Sequence, residues 1–246
     1  MRRWVVLLYG LLAYVVGFAS LILFMLFLGD WSFSPCRIHG TGTTSQAVAV
    51  LTDVVLLIFF AVPHSLMARP WFKQKWTKLV PPVAERSTYV LVAGLTLIAL
   101  CAWWRPLAGA LGKIENPAIV AAVLGLQLCG WAIVVVASFT INHWELFGVR
   151  QVFFYFQGKT APALKFTERG LYRVVRHPIQ TGILIGIWST PAMTTSHLLF
   201  AAGMTAYVLI ALRLEERDLI AELGPTYEDY RRRVPMLVPI RFRNRP

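Results

Sequence analysis

Acidic residues are scarce in this 246-residue chain, where 12 Asp and Glu stand against 24 Lys and Arg. Charged residues of both signs make up only 15% of it, and no polar block is long enough to build a water-soluble domain. Cysteine is nearly absent. Of Cys36, Cys101 and Cys129, the last two fall in apolar runs, and nothing resembles a disulfide framework or a zinc spacing. There is no P-loop, no zincin helix and no Ser-His-Asp order, and Gly40-Thr41-Gly42 follows no strand and reads as a turn. The lack of an internal repeat counts against a transporter assembled from two related halves. What the chain has in abundance is apolar surface. It is 57% hydrophobic with a mean hydropathy of +0.60, as expected of a helical protein that crosses a membrane several times. The net charge of +12 does not point to nucleic acid, because the cations sit between apolar runs, where headgroups are met.

Six apolar segments are expected. Trp4 to Leu28, Ala47 to Met67, Ser87 to Trp104 and Ala118 to Ile141 have the length of spans, about 20 residues each. The first is too long for a signal-peptide core and reads as a retained span. Ile179 to Met193 is shorter, about fifteen residues, and with His197 to Leu212 it reads as a tight helical hairpin. From Arg213 a charged helix follows, divided at Gly224-Pro225, with Leu212, Leu219, Leu223, Tyr227 and Tyr230 on one face. Asp53 and His64 lie near the ends of the second segment, where they can face water. Six spans put both termini on one side. That side carries 21 of the 24 Lys and Arg, all but Arg37, Arg105 and Lys113, so the positive-inside rule makes it the cytoplasm of a bacterial inner membrane. The expected fold class is all-α, a polytopic integral membrane helical bundle with a cytosolic C-terminal helix, forming one domain over residues 1–246.

Two stretches carry the polar chemistry of the C-terminal half. Arg176-His177-Pro178 stands just before an apolar run, and Glu215-Glu216 follows the next one. Alone, the first is equally a membrane-entry device, with basic residues at the headgroups and a proline opening a helix. Asn142 to Gly148 follows the fourth span on the cytoplasmic side. His143 and Glu145, flanked by aromatics, read either as an interfacial anchor or as a polar cluster at the mouth of a site.

Gly170-Leu171-Tyr172, Arg176-His177-Pro178, Gly182, Glu215-Glu216, Leu219, Gly224, Tyr227, Tyr230 and Val234-Pro235 together resemble the C-terminal half of the isoprenylcysteine carboxyl methyltransferases. That superfamily also holds membrane phospholipid methyltransferases. Pro63 to Pro70, Glu85 to Tyr89, Asn142 to Gly148 and Arg150 to Val152 are similar to the bacterial methanethiol S-methyltransferases, which extends the likeness over most of the chain.

The resemblance implies a cytoplasmic, non-Rossmann pocket for S-adenosylmethionine in residues 142–246, with the four N-terminal spans in 1–141. Its contacts fall on Gln157, Leu164, Lys165, Phe166, Thr167, Tyr172, His177, Pro178, Ile179, Gln180 and Glu215. Backbone N–H groups after Pro178 suit the methionine carboxylate, Glu215 a ribose hydroxyl or the amino group, and Phe166 and Tyr172 adenine or the sulfonium. Two positions depart from the pattern. Gln180 stands where a tyrosine is usual, and Ala211 where the isoprenylcysteine enzymes carry an arginine that reads the substrate carboxylate, although Arg213 is near. An acceptor without a carboxylate fits that loss. The expectation is an S-adenosylmethionine-dependent S-methyltransferase acting on a small thiol, methanethiol, to give dimethyl sulfide, with the lipid bilayer around it and no metal. His143 is the first candidate base and Glu145 the second. The rival readings are a methyltransferase for a lipid or another acceptor, and a non-enzymatic membrane protein with a degenerate pocket.

Overall fold

The computed structural model describes residues 2–31, 33–40, 42, 44–162 and 166–240. Among these, five helices are long and apolar enough to cross a membrane: α1 (Arg2–Gly29), α2 (Gln46–Leu66), α4 (Pro82–Trp103), α5 (Pro117–Ile141) and α9 (Thr195–Leu223). The remaining helices are short: α3 (Pro70–Trp76), α6 (His143–Leu146), α7 (Val149–Phe156), α8 (Pro178–Trp188) and α10 (Pro225–Arg233). The chain is an integral membrane helical protein, as its composition requires, since a backbone in lipid must satisfy its own hydrogen bonds. The expected spans match α1, α2 and α5 to within a turn, and α4 starts five residues before the expected Ser87.

Four local differences have physical causes. The segment from Ile179 forms only α8, whose 11 residues span about 16 Å against a hydrocarbon core of about 30 Å. The turn after it pairs β2 (Ala192–Thr194) antiparallel with β1 (Ala110–Lys113), too short a ladder to leave a sequence pattern. The last apolar run and the charged tail are one helix, because no glycine or proline occurs between Met204 and Leu223 to end it. Asp53 does not face water. It is fully buried, and its Oδ1 accepts the Arg105 N–H at 2.8 Å.

Contacts divide the chain into two units: residues 1–114, 144–163 and 192–207, and residues 115–143, 164–191 and 208–246. In the first, α4 packs against both α1 and α2, and Phe24, Phe27, Trp104 and Phe200 form a cluster whose rings meet edge-on or tilted. Gly148, in the left-handed region at φ 80°, brings the start of α7 so close to α4 that a Cβ there would lie 2.8 Å from the Ser87 nitrogen.

In the second unit, α5 opens on Pro117 with the Asn116 side chain accepting from the Ala118 and Ile119 N–H groups, a proline-reinforced N-cap. It packs on α8 through glycines. A Cβ on Gly182 would sit 2.5 Å from the Gly130 carbonyl oxygen, so the two backbones touch. Gln127 Nε2 donates across this contact to the Gly186 carbonyl at 3.2 Å. Gly224 breaks the chain and Pro225 restarts it as α10, which folds Tyr227 and Tyr230 back onto Leu219, Ile220 and Leu223.

Candidate functional site

The two halves of the C-terminal motif meet in the second unit, 40 residues apart in sequence. Arg176 donates from Nε to Glu216 Oε1 at 2.7 Å, and its Nη2 lies at the same distance from that oxygen. His177 Nε2 is 3.1 Å from the same oxygen, and the Tyr227 hydroxyl donates to it at 3.4 Å. Glu216 is buried, as are Arg176 and His177, so this carboxylate anchors a cation that would otherwise be desolvated alone. Arg176 also donates from Nη1 to the Arg231 and Val234 carbonyls. The backbone continues the latch: the Arg176 N–H donates to Pro235, the His177 N–H to Met236, and the Thr181 hydroxyl to Leu237. The Tyr230 hydroxyl closes the other flank on the Tyr172 carbonyl at 2.6 Å. Burial drives the Tyr227 phenol well above its ordinary value and the Tyr230 phenol up to about 12, so both stay protonated donors.

This hub separates the acidic pair. Consecutive helical residues point about 100° apart, so only one of them can enter it. Glu216 does. Glu215 is half-buried and makes no hydrogen bond or ion pair among the described residues. It lies close enough to Tyr172 for its charge to add to burial in raising that phenol.

Pro178 is the first residue of α8 and is buried. The Ile179 and Gln180 N–H groups have no acceptor among the described residues, as expected in the first turn of a helix. A cleft of about 520 Å³, within the size range of ligand sites, is lined by Phe166, Thr167, Glu168, Arg169, Arg173, Arg233 and Val234. Glu168 holds Arg233 across it at 3.1 Å. Phe166 stands edge-on to Tyr230 and Tyr227, with ring centres 5.2 and 6.1 Å away, and stays 37% exposed, leaving a face for a ligand. Tyr172, Glu215 and the His177 to Gln180 turn do not line this cleft. Leu164 and Lys165 lie outside the described residues.

His143 follows Asn142, whose left-handed φ of 116° ends α5. Its ring is buried, stacked on Phe139 at 4.4 Å and 6°, and Nδ1 shares a hydrogen bond of 3.0 Å with the Ser138 hydroxyl. Burial holds its pKa below the usual histidine value. Glu145 belongs to the first unit and is paired with Arg150 at 2.6 Å and with Gln151 Nε2 at 2.9 Å. Gln157 caps α7 in that unit and is exposed. The structure thus brings His177 to Glu216 of the acidic pair, and Phe166 and Thr167 to one cleft. Sequence reasoning missed the commitment of Arg176 to the tail and the arginines of the cleft, because neither follows from local spacing.

The Phospholipid methyltransferase family model matches residues 120–224. Over 239 residues the chain is 44% identical to Methanethiol S-methyltransferase of Mycobacterium tuberculosis, covering 97% of this chain and 98% of that one. Methanethiol S-methyltransferase 2 of Bradyrhizobium diazoefficiens is 43% identical over 99% of this chain and 93% of its own. The Crocosphaera subtropica Methanethiol S-methyltransferase is 42% identical over 97% and 93%. No solved structure matches. With near-full-length identity of this order around a joined methyltransferase motif, the chain belongs to the methanethiol S-methyltransferase family.

Proposed function

We propose that the chain transfers a methyl group from S-adenosylmethionine to methanethiol, giving dimethyl sulfide, in a bacterial inner membrane with both termini cytoplasmic. The observation that carries the reading is the hub that joins Arg176-His177-Pro178 to the acidic pair while leaving Glu215 uncommitted. A carboxylate left without a partner beside a satisfied ion pair keeps its acceptor oxygens available to a polar ligand. The residues present fit an adenosyl sulfonium: a free carboxylate, two free N–H groups at a helix start, and an exposed aromatic face.

Glu215 would accept from a ribose hydroxyl or the amino group, and the Ile179 and Gln180 N–H groups would hold the carboxylate. Tyr172, Phe166, Thr167 and Gln157 would complete the contacts. When bound, S-adenosylmethionine supplies a sulfonium methyl that a thiolate displaces in line. His143 is neutral at cellular pH and would take the thiol proton, with Glu145 as the second candidate. Glu145 first has to loosen its Arg150 pair. Fixing the thiol against the methyl removes much of the orientational entropy of the encounter.

The test is product analysis of purified protein supplied with S-adenosylmethionine, a panel of thiols and phospholipid vesicles. Dimethyl sulfide from methanethiol is the expected result. Methylated lipid with no thioether overturns it.

A further inference from the structure

A second polar cluster lies in the first unit, at the cytoplasm-directed end assigned to α2. His64 and Phe60 are one turn apart, with ring centres 5.1 Å apart. Tyr89 of α4 and Tyr207 of α9 stand 5.2 and 6.2 Å from the imidazole, and Phe60 meets Tyr207 edge-on at 5.9 Å. His64 Nε2 shares a hydrogen bond of 3.0 Å with the Tyr89 hydroxyl. The other ring nitrogen, Nδ1, is enclosed and has no hydrogen-bond partner among the described residues. A buried polar atom left without a partner is costly and calls for an explanation.

The α4 residues just before Tyr89 are tied to distant parts of the chain, and Arg86 lies against the Tyr89 ring itself, at 4.9 Å. Arg86 donates from Nε to the Leu146 carbonyl at 2.8 Å. Ser87 meets Gly148, and Thr88 accepts from Tyr9 at 2.8 Å. His64 and Tyr89 fall outside residues 120–224, which match the phospholipid methyltransferase model, yet inside the region shared with the methanethiol enzymes. A residue that selects the acceptor is expected in that difference.

We propose that the His64, Tyr89, Phe60 and Tyr207 cluster is the binding site of the methyl acceptor, a small neutral thiol, with His64 Nδ1 accepting its S–H and so standing in place of His143 as the group that meets the thiol proton. This rests on the thiol-methylating function proposed above. Such a thiol has one weak donor and one small apolar group. The cluster offers one acceptor atom inside aromatic walls, and sulfur packs favourably against aromatic rings. Tyr89 is a positioning residue, since its hydroxyl fixes which imidazole nitrogen carries the proton.

The test is steady-state kinetics of purified protein at saturating S-adenosylmethionine, with methanethiol and propanethiol varied. His64→Leu is expected to raise the thiol KM about tenfold and leave the donor KM unchanged, as loss of one productive hydrogen bond would. His64→Asn, which keeps an acceptor near Nδ1, should raise it less, and this variant reports if the leucine form fails to fold. Tyr89→Phe should give an intermediate rise, and Phe60→Ala should shift preference toward propanethiol. An unchanged thiol KM in both His64 variants overturns the proposal, as do equal rises in both KM values. Wild-type protein that methylates no thiol overturns the proposed function instead.

Discussion

At the residue scale, adjacent glutamates have opposite assignments. Glu216 neutralises buried Arg176 and shares a hydrogen bond with buried His177, whereas Glu215 is uncommitted. Glu216→Ala should therefore destabilise the protein by about 3 kcal/mol or more, because removing one member of a buried pair strands its partner. Glu215→Ala should leave the thermal midpoint nearly unchanged and weaken S-adenosylmethionine binding at least tenfold. Thermal unfolding and donor titration of the two variants check this, and similar stability losses for both would remove the distinction. His143 gives a pH signature. Its folded pKa is lowered by burial, so the unfolded chain binds a proton near pH 6.5 where the folded one does not. Its share of stability is present above about pH 6.5 and is lost as pH falls toward the lower folded value. If it is the base, the acid limb of kcat lies below pH 6.5, and His143→Ala lowers turnover about 10²–10⁴-fold with donor affinity intact. A full-activity alanine variant would exclude it.

At the element scale, the contact of α5 with α8 depends on the absence of side chains. Gly182→Ala would place a Cβ 2.5 Å from the Gly130 carbonyl oxygen and 2.9 Å from Val134, so the helices must separate. Overpacking of this kind costs about 1–3 kcal/mol, and the thermal midpoint should fall accordingly. Gly125 sits on α5 with open space around it, and Gly125→Ala should be neutral or slightly stabilising. Equal midpoints for the two alanine variants would show that α8 has room to move. The glycines were visible in sequence, but Gly182 stood there as a motif position and Gly125 as nothing in particular. Only the helix pairing separates them.

At the scale of the whole molecule, topology turns on α8, which is too short for a full crossing in a helix of 11 residues. If α8 failed to enter the bilayer and α9 crossed it, the eight cations from Arg213 onward would be placed opposite those of the α2–α4 loop. That would break the charge asymmetry that orients membrane proteins. A hairpin of α8 and α9 would keep both termini on the cytoplasmic side, as the proposed function has them. A reporter fused after Pro246 should therefore read as cytoplasmic, and a periplasmic signal would overturn both the hairpin and the side assigned to the donor site.

The sequence by itself determined the helical class, four spans nearly to their ends, the break at Gly224-Pro225 and the motif whose halves meet. These are local matters: hydropathy, proline and glycine act within a few residues, and lipid allows little but helix. Tertiary structure alone decided that Arg176 latches the tail, which glutamate stays uncommitted, that Asp53 is buried, and that His64 is caged by residues from three helices. Each is a pairing across tens to more than a hundred positions. Burial and hydrogen-bond satisfaction are properties of what surrounds a group in space, and a linear spacing does not carry them.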